Sequence, residues 1–428
     1  MPLALIATVA VVAPGPLPSS APTDPFNEPG LAAALWTSSP EVVSARGAVA
    51  DARAVAERSE LLPNPTLTAT WGTIPVGRRP PGVAFGDVPN YSLGASQLFE
   101  LGKRGPRQAA ARAGADEARL FLGDLYRGRF LDVLKAIGDE SVAAGHTAIL
   151  ERLVEASQGT LTLQKLREAK GDVAGLEVDR LEVEHLRLLS ALGEARAAME
   201  EAAAACALLL GQSCPPVRAL DDALKYLASD QTLDQLKGGR DDEAIARRPD
   251  LQALQAAERR LRYEGLLARR QKIPDPTLSL AATHDTFTSA GNQSNSLTLS
   301  LALPLPIFDR GQPEVARAAA RAQLATRQRE TLTEAARRAL VADRRRLDLL
   351  SERAKRLDEQ AIPMARATAE RVEAAARRGG AALQDVLLAR RAMEELQLDR
   401  VDVAAQSFSA RLEIRRAAGS VPEPPGGF

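Results

Sequence analysis

The sequence predicts a mainly α-helical protein with a small β part, built from an internal two-fold repeat. Only 4% of the 428 residues are aromatic, whereas Ala, Leu, Arg and Glu are abundant, a composition typical of long helices. The segment Asn64-Pro65-Thr66-Leu67 returns as Asp275-Pro276-Thr277-Leu278. Two stretches of alternating apolar and polar residues and a long helical pattern follow each copy. We therefore expect Ala- and Leu-lined helical seams in place of an ordinary globular core with large rings.

The N-terminal segment, residues 1–25, has the character of a leader. An apolar run from Leu3 to Ala13 is followed by several prolines, as in the apolar region of a secretory signal. No Lys or Arg precedes the run, so an apolar disordered leader is the alternative. The run is shorter than the ~20 residues of a membrane-spanning helix. No uninterrupted apolar run of ~18 residues occurs elsewhere in the sequence.

Charge and motif content argue against several functions. Lys+Arg and Asp+Glu both number 55, and zero net charge disfavours a dedicated nucleic-acid binder. We interpret the arginine clusters at 337–338, 344–346 and 377–378 as solvated helix faces, because acidic residues lie close by. No nucleophile–His–acid arrangement, phosphate loop or metal-ligand spacing stands out, so neither an enzyme, a cofactor nor a resident metal is predicted. Cys206 and Cys214 are either a disulfide or two free thiols.

The repeat defines the expected domains. A leader (1–25), a linker (213–242) and a tail (419–428) flank the two repeats. Repeat 1 spans 26–212, with strands 66–74 and 91–99, a long helix 105–170, a Gly-centred break 171–177 and a return helix. Repeat 2 spans 243–418, with strands 277–284 and 296–303, a long helix 312–378, a break 379–385 and a return helix.

The second long helix carries a heptad seam, which is typical of helices packed almost parallel in a coiled coil. Its 3-4-3-4 positions are Leu347, Leu350, Ala354, Leu357, Ala361, Met364 and Thr368. Each long helix would reach ~100 Å at 1.5 Å per residue. Pro363 lies inside the second one and is expected to kink it or to mark a junction.

The four predicted strands place Leu on one face and Ser or Thr on the other. Their eight to ten residues are close to the ~9–11 of a transmembrane barrel strand. The alternative is two ordinary soluble hairpins. Because the smallest outer-membrane barrels have about eight strands, several chains would have to share one barrel.

These features together resemble the TolC-like outer-membrane efflux protein family over about residues 31–418. The resemblance rests on Asn64-Pro65-Thr66-Leu67, on the two Gly-centred breaks and on residues 303–311, Leu-Pro-Leu-Pro-Ile-Phe-Asp-Arg-Gly. The last stretch is most similar to the CzcC-like, heavy-metal efflux branch. The resemblance implies a homotrimer in the Gram-negative cell outer membrane, with four strands per chain in one shared β-barrel. It also implies an elongated periplasmic α-helical barrel.

The same resemblance implies partners and site residues. The partners would be a periplasmic adaptor (membrane-fusion) protein, an inner-membrane RND-type pump and outer-membrane lipid. The breaks would be periplasmic tips that contact the adaptor through Gly171, Val173, Gly175, Gly379, Gly380 and Leu383.

Two carboxylates at the tips are candidates for the channel entrance. Glu177 and Asp385 each follow their Gly by six residues, and family members carry such carboxylates in a ring that would attract cations. The alternative is a carboxylate that only complements a helix dipole. Ala376 and Ala381 replace the aromatic and basic locking side chains of the best-known pattern, which leaves Arg377, Arg378 or tight helix packing to close the channel.

The expected function is passive conduction of a substrate, most specifically heavy-metal cations, from adaptor and pump to the exterior. A drug-efflux or type I secretion outlet is the alternative within this class. A soluble coiled-coil scaffold is the alternative outside it, although it would not require one-sided apolar strands.

Overall fold

The computed structural model describes residues 24–72, 77–78, 81–82, 84, 86, 88–229, 241–286, 293–378, 380–425 and 427. The leader predicted for 1–25 therefore lies outside the described residues, apart from its last two positions. The helices before the second pair of strands are α1 (Glu28–Ser38), α2 (Pro40–Glu60), α3 (Arg104–Glu168), α4 (Gly175–Leu210), α5 (Leu220–Ala228), α6 (Asp241–Ala246) and α7 (Pro249–Arg270). The helices after that pair are α8 (Gln312–Arg356), α9 (Ile362–Arg377) and α10 (Leu383–Ala418). None of the described helices is both long enough and apolar enough to cross a membrane.

The strands are β1 (Thr66–Gly72), β2 (Asn90–Leu98), β3 (Thr277–Asp285) and β4 (Asn295–Ala302). All four lie within two residues of the predicted bounds. They form one antiparallel sheet in the order β1-β2-β3-β4. Helix, two strands, long helix and return helix thus follow one another twice along the chain.

The chain divides into two compact units. The sheet unit comprises residues 48–120 and 252–331, and the helical unit comprises 1–47, 121–251 and 332–428. Within the sheet unit, Lys103 Nζ and Asp275 Oδ2 are 2.6 Å apart, and Asp275 Oδ1 also accepts the Leu101 amide at 3.0 Å. These bonds hold the chain after β2 against the chain before β3.

The helical unit has a core that includes large rings, so the expectation of a core without them is wrong. Tyr126 and Phe130 of α3 are fully buried, and Trp36 of α1 packs edge-on against Tyr126 with ring centroids 5.8 Å apart. A second group surrounds Tyr226 of α5, whose ring centroid is 5.4 Å from that of Phe408 on α10. Large rings therefore fill part of the core between α1, α3, α5 and α10.

The second long helix is not continuous, which corrects the prediction for 312–378. Residues Leu357–Ala361 form a π-helical turn between α8 and α9. Pro363 lies in the first turn of α9 and has no N–H to donate, so the wider turn accommodates it. The junction expected at Pro363 is confirmed.

The π-helical turn also shifts the heptad seam. Leu350 and Leu357 are buried as predicted, but Met364 is 69% exposed and Thr368 is also exposed. Ala369 is the buried residue instead. A π turn contains one residue more than an α turn, so every inward position beyond it falls one residue later.

The connecting region between α4 and α7 contains the helices α5 and α6, and a disulfide links its start to α4. Cys206 and Cys214 form a disulfide with a Cα–Cα distance of 6.0 Å, so the sequence's alternative of two free thiols is excluded.

Two of the arginine clusters contact the start of α6 through their first residues, Arg337 and Arg344. Arg337 Nε is 2.8 Å from Asp242 Oδ1, and Arg344 Nη1 is 2.6 Å from Asp241 Oδ2.

Candidate channel entrance and membrane face

The sheet has one apolar and one polar face, because paired residues of antiparallel strands share a face. The apolar face, as the register defines it, consists of Leu67, Ala69 and Trp71 on β1, Tyr91, Leu93, Ala95 and Gln97 on β2, Leu278, Leu280, Ala282 and His284 on β3, and Asn295, Leu297, Leu299 and Leu301 on β4. The polar face carries mainly Ser and Thr, among them Thr66, Thr68, Thr70, Ser92, Ser96, Thr277, Ser279, Thr283, Ser296, Thr298 and Ser300. The predicted separation of Leu from Ser and Thr is therefore present across four strands.

The apolar face is open to its surroundings. Leu67 and Leu299 are 72% and 70% exposed. At the end of the sheet that contains the C-terminus of β1, the rings of Trp71 and Tyr91 stack with centroids 6.4 Å apart. In the same row, His284 Nδ1 and Asn295 Oδ1 are 2.8 Å apart. Amphipathic side chains thus border the apolar rows at this end.

The first predicted tip is an ordered helix end. Gly171 has φ +80°, in the left-handed region that favours glycine. Its amide donates to the Glu168 carbonyl at 2.8 Å, and the Asp172 amide donates to the Arg167 carbonyl at 3.0 Å. This pair of bonds is a Schellman motif, which satisfies the last carbonyls of α3.

The second tip repeats part of this pattern. The Gly380 amide donates to the Ala375 carbonyl at 2.9 Å, a bond of the same span as that from Asp172 to Arg167. Gly379 itself and the side chain of Leu383 lie outside the described residues. The two breaks therefore fall at the helix ends that the sequence predicted.

Glu177 and Asp385 occupy the same position, the third residue of α4 and of α10. Asp385 Oδ2 accepts the Ala382 amide at 3.1 Å. This bond satisfies the amide of the residue before α10, whereas the alanine side chain of that residue offers no cap to the amides of the first turn. Asp385 therefore has a local capping role whether or not it also lines an entrance.

The tip rests on a small apolar cluster. Leu161, Val178 and Leu181 are buried together, and Val173 and Leu387 pack against them. Val173 thus faces the interior of the tip rather than presenting a free contact surface. A Cβ on Gly175 would lie 2.9 Å from Glu168 Oε1, so α4 starts close against the end of α3.

For the two arginines proposed as a lock, the described part of the chain shows no bond to another tip helix. Arg377 is exposed in the last turn of α9. Arg378 Nε donates to the Ala374 carbonyl of its own helix at 3.2 Å.

Arg390 and Arg391 on α10 do bond to the other tip helices, although nothing in the sequence singled them out. Arg391 Nε donates to Glu184 Oε1 on α4 at 3.1 Å, and a second guanidinium nitrogen contacts the other carboxylate oxygen. Arg390 Nε donates to Glu373 Oε1 on α9 at 2.7 Å. Its Nη1 lies 3.4 Å from Thr160 Oγ1 on α3. These adjacent residues connect α10 to each of the three other tip helices.

The carboxylates at this junction differ in proton affinity. Partial burial raises the pKa of Glu184, but hydrogen bonds from Arg187 and Arg391 outweigh it, so this pKa lies below its usual value. Burial raises the pKa of Glu394, and the nearby charge of Glu184 adds to the increase. The junction therefore holds Glu184 ionised as the acceptor for both arginines.

A groove lies between the starts of α4 and α10. We call it the tip groove; its lining includes Leu176, Glu177, Arg180, Val183, Gln384 and Leu388. Leu176, Val183 and Leu388 are all exposed apolar residues. No group of three His, Cys, Asp or Glu side chains among the described residues is arranged to hold a metal ion.

The sequence of repeat 2 is similar to a known family. Residues 242–420 match the family model described as "Outer membrane efflux protein". The match lies within the second half of the chain and covers less than half of its 428 residues.

One curated relative is similar over a longer part of the chain. It is 26% identical over 298 residues to the "Cobalt-zinc-cadmium resistance protein CzcC" of Cupriavidus metallidurans, a match that covers 68% of this chain. The match spans 66% of that relative's length, slightly less than two thirds.

Solved channel structures share the fold. CusC, whose structures concern transmembrane channel formation, is 16% identical with a TM-score of 0.74, covering 91% of both chains. The outer membrane protein VceC of Vibrio cholerae is 20% identical with a TM-score of 0.71, covering 91% of this chain and 95% of its own. The expected fold class, long helices with four antiparallel strands, is confirmed.

Proposed function

We propose that this chain is the outer-membrane channel of a tripartite efflux system, in which three copies form one tunnel. The tunnel would conduct substrate passively from a periplasmic adaptor and an inner-membrane RND-type pump to the exterior. The observation that carries the proposal is the sheet, which exposes a row of Leu on one face and Ser and Thr on the other.

The exposed apolar face fits lipid better than water. Each Leu side chain left in water forfeits roughly 1.5–3 kcal/mol relative to burial, and the face contains seven of them. Trp71 and Tyr91 border the apolar rows at one end. Phe99 and Phe308 are exposed beyond the other end. An apolar band between aromatic residues is the pattern of a transmembrane barrel strand. A soluble scaffold would have no reason to keep such a face open.

Adjacent positions on β4 provide a matched test of this orientation. Leu299→Lys places a charge on the apolar face, and we expect it to abolish assembly in the outer membrane at a cost of roughly 2–4 kcal/mol. Ser300→Lys places the same charge on the polar face and should assemble normally. Membrane fractionation and detergent extraction measure both, and equal assembly of the two variants would contradict the proposal.

The entrance proposal concerns Asp385. Three copies of this carboxylate around one axis would concentrate cations at the periplasmic mouth. Because Asp385 also caps α10, Asp385→Asn is the appropriate variant: its amide oxygen can still accept the Ala382 amide. We expect weaker block of conductance by divalent cations in planar-bilayer recordings, and unchanged block would remove Asp385 from the entrance. Glu177→Gln tests the matching position.

We infer that the tip groove receives the periplasmic adaptor. Its exposed Leu176, Val183 and Leu388 alternate with charged residues, a composition suited to another helix. Val183→Glu should reduce co-purification of the adaptor. Leu208→Glu on the same α4 helix, at a residue that is 79% exposed and outside the groove, is the control. Equal adaptor recovery from both variants would contradict the assignment.

Heavy-metal cations are the cargo we favour, because of the match to a cobalt–zinc–cadmium resistance protein. Deletion of the gene in its native host should lower tolerance to Zn²⁺, Co²⁺ or Cd²⁺ while tolerance to drugs is unchanged. Loss of drug tolerance alone would assign the chain to a drug-efflux outlet.

A further inference from the structure

The two cysteines of the disulfide lie in different surroundings. Cys206 belongs to the last turns of α4 and is 0% exposed. Cys214 is half-buried and lies in the segment 213–218, which has no regular secondary structure and in which Ser213 and Pro216 are exposed. A reagent in solution can therefore approach the bond only from the side of Cys214.

The packing at the end of α4 closes off Cys206. Ala202, Cys206 and Leu210 are spaced four residues apart and form the buried stripe of this part of the helix. The helix ends at Gly211, whose φ is +70°, and a Cβ on this glycine would lie 2.2 Å from the carbonyl oxygen of Ser38. The end of α4 thus lies directly against the chain between α1 and α2, and no reagent reaches Cys206 unless this contact is broken.

The same surroundings distinguish the two thiols of the reduced chain. The thiolate, not the thiol, is the attacking form of cysteine. Burial and the negative end of the helix dipole both disfavour a thiolate at Cys206. Cys214 lies outside the helix and retains contact with water, so it is the better attacking group as well as the accessible one.

We propose that Cys214 is the exchange site at which a thiol–disulfide oxidoreductase installs and removes this bond. To install it, the Cys214 thiolate attacks the disulfide of the oxidoreductase, and a mixed disulfide forms as one partner sulfur leaves. The Cys206 thiol then loses its proton and attacks Cys214 Sγ, which releases the second partner sulfur. In total the chain gives up two protons and two electrons, and the partner's disulfide becomes a dithiol. Removal of the bond follows the same steps in reverse.

The form of the segment around Cys214 fits a protein partner. Residues 213–216 offer an extended backbone without strand or helix partners, the conformation in which peptides are bound through main-chain hydrogen bonds. Lasting disulfides are formed in oxidising compartments, which agrees with the outer-membrane location of the proposed function. The inference goes beyond that function and does not depend on the cargo.

The bond joins α4 to a segment that is held by other helices. The Val217 amide donates to Glu140 Oε1 on α3 at 3.3 Å, and the ring centroid of Tyr226 is 5.4 Å from that of Phe408 on α10. Exchange at Cys214 therefore decides whether α4 is covalently tied to a segment that packs on α3 and α10.

Single-cysteine variants separate the two thiols. Folded Cys206→Ser and Cys214→Ser proteins are incubated in detergent with oxidised glutathione, and intact-mass spectrometry follows the mixed disulfide. We expect glutathione to join Cys206→Ser at least about tenfold faster than Cys214→Ser, because access and thiolate character both favour the remaining Cys214. In denaturant the two rates should converge. Equal rates in the folded proteins, or a faster reaction of Cys214→Ser, would overturn the proposal.

The native disulfide provides a second measurement that does not depend on how the variants fold. The probe is reduced thioredoxin whose second active-site cysteine is replaced by serine, so that the mixed disulfide it forms is not resolved. Peptide mass spectrometry of the folded full-length chain should find thioredoxin joined to Cys214 and a free thiol at Cys206. Attachment to Cys206, or no attachment until the chain is unfolded, would overturn the assignment of the exchange site.

Discussion

Arg391 on α10 and Glu184 on α4 form a two-atom ion pair across the tip of the helical unit. The same carboxylate accepts Arg187 Nη2 at 2.9 Å from its own helix. Because Arg391 is the residue that crosses between helices, it opposes separation of α4 from α10. Arg390 opposes separation of α10 from α3 and α9 in the same way.

In the proposed channel, loss of the Arg391 side chain should therefore make opening easier. A partly exposed ion pair contributes roughly 0.2–1 kcal/mol, so Arg391→Ala should raise the open probability by a few-fold in planar-bilayer recordings. Arg187→Ala removes an arginine from the same carboxylate without breaking a cross-helix bond, and should leave the open probability close to that of the native channel. Equal effects of the two variants would contradict the idea that the Arg391–Glu184 ion pair holds α10 against α4.

The strands were predictable because their signal is local. Alternation of Leu with Ser and Thr has only one structural solution, and each strand lies within two residues of its predicted position. The break at Gly171 was predictable for a similar reason, since this helix end has a positive φ and such a position favours glycine.

The features that the sequence did not reveal depend on contacts between distant residues. The seam beyond Leu357 shifted because a π-helical turn precedes Pro363, and heptad spacing assumes an uninterrupted α-helix. Arg337 and Arg344 gave no sign of their partners in α6, because those residues lie about one hundred positions away. The bonds from Arg390 to Thr160 and from Arg391 to Glu184 were missed for the same reason, since these partners lie more than two hundred positions away.

Close packing of α3 against α10 depends on a glycine. A Cβ added to Gly138 would lie 2.4 Å from Phe408 Cε1, so Phe408 would have to move from a tightly packed site. We expect Gly138→Ala to lower the free energy of unfolding by about 1–3 kcal/mol, measured by thermal denaturation in detergent. Gly128→Ala on the same helix meets nothing within 4 Å and should be neutral or slightly stabilising. Equal melting temperatures of the two variants would show that Phe408 can move aside without loss of stability.

The Cys206–Cys214 disulfide should stabilise the helical unit. It closes a loop of eight residues, for which the loss of chain entropy in the unfolded state corresponds to about 2.5 kcal/mol. Cys206→Ser with Cys214→Ser should therefore lower the apparent melting temperature. Reducing agent should lower that of the native protein to a similar value and leave the variant unchanged. A reductant effect on the variant would point to a cause other than this bond.

Glu140 on α3 should make stability depend on pH in the direction opposite to an ion-paired carboxylate. It is 4% exposed, its Oε1 accepts the Val217 amide at 3.3 Å, and burial raises its pKa. A raised pKa means that the folded state binds the proton more tightly than the unfolded state, whose value is about 4.3. Stability from this group is therefore greatest below about pH 4.3 and declines as pH rises through the raised pKa.

Glu140→Gln keeps an acceptor for Val217 and removes the charge. We expect the variant to gain free energy of unfolding over the native protein as pH increases from about 4, with the difference reaching a plateau above the raised pKa. Chemical denaturation across this range measures the difference. A difference for Glu140→Gln that is constant with pH would mean that this carboxyl titrates alike in the folded and unfolded states.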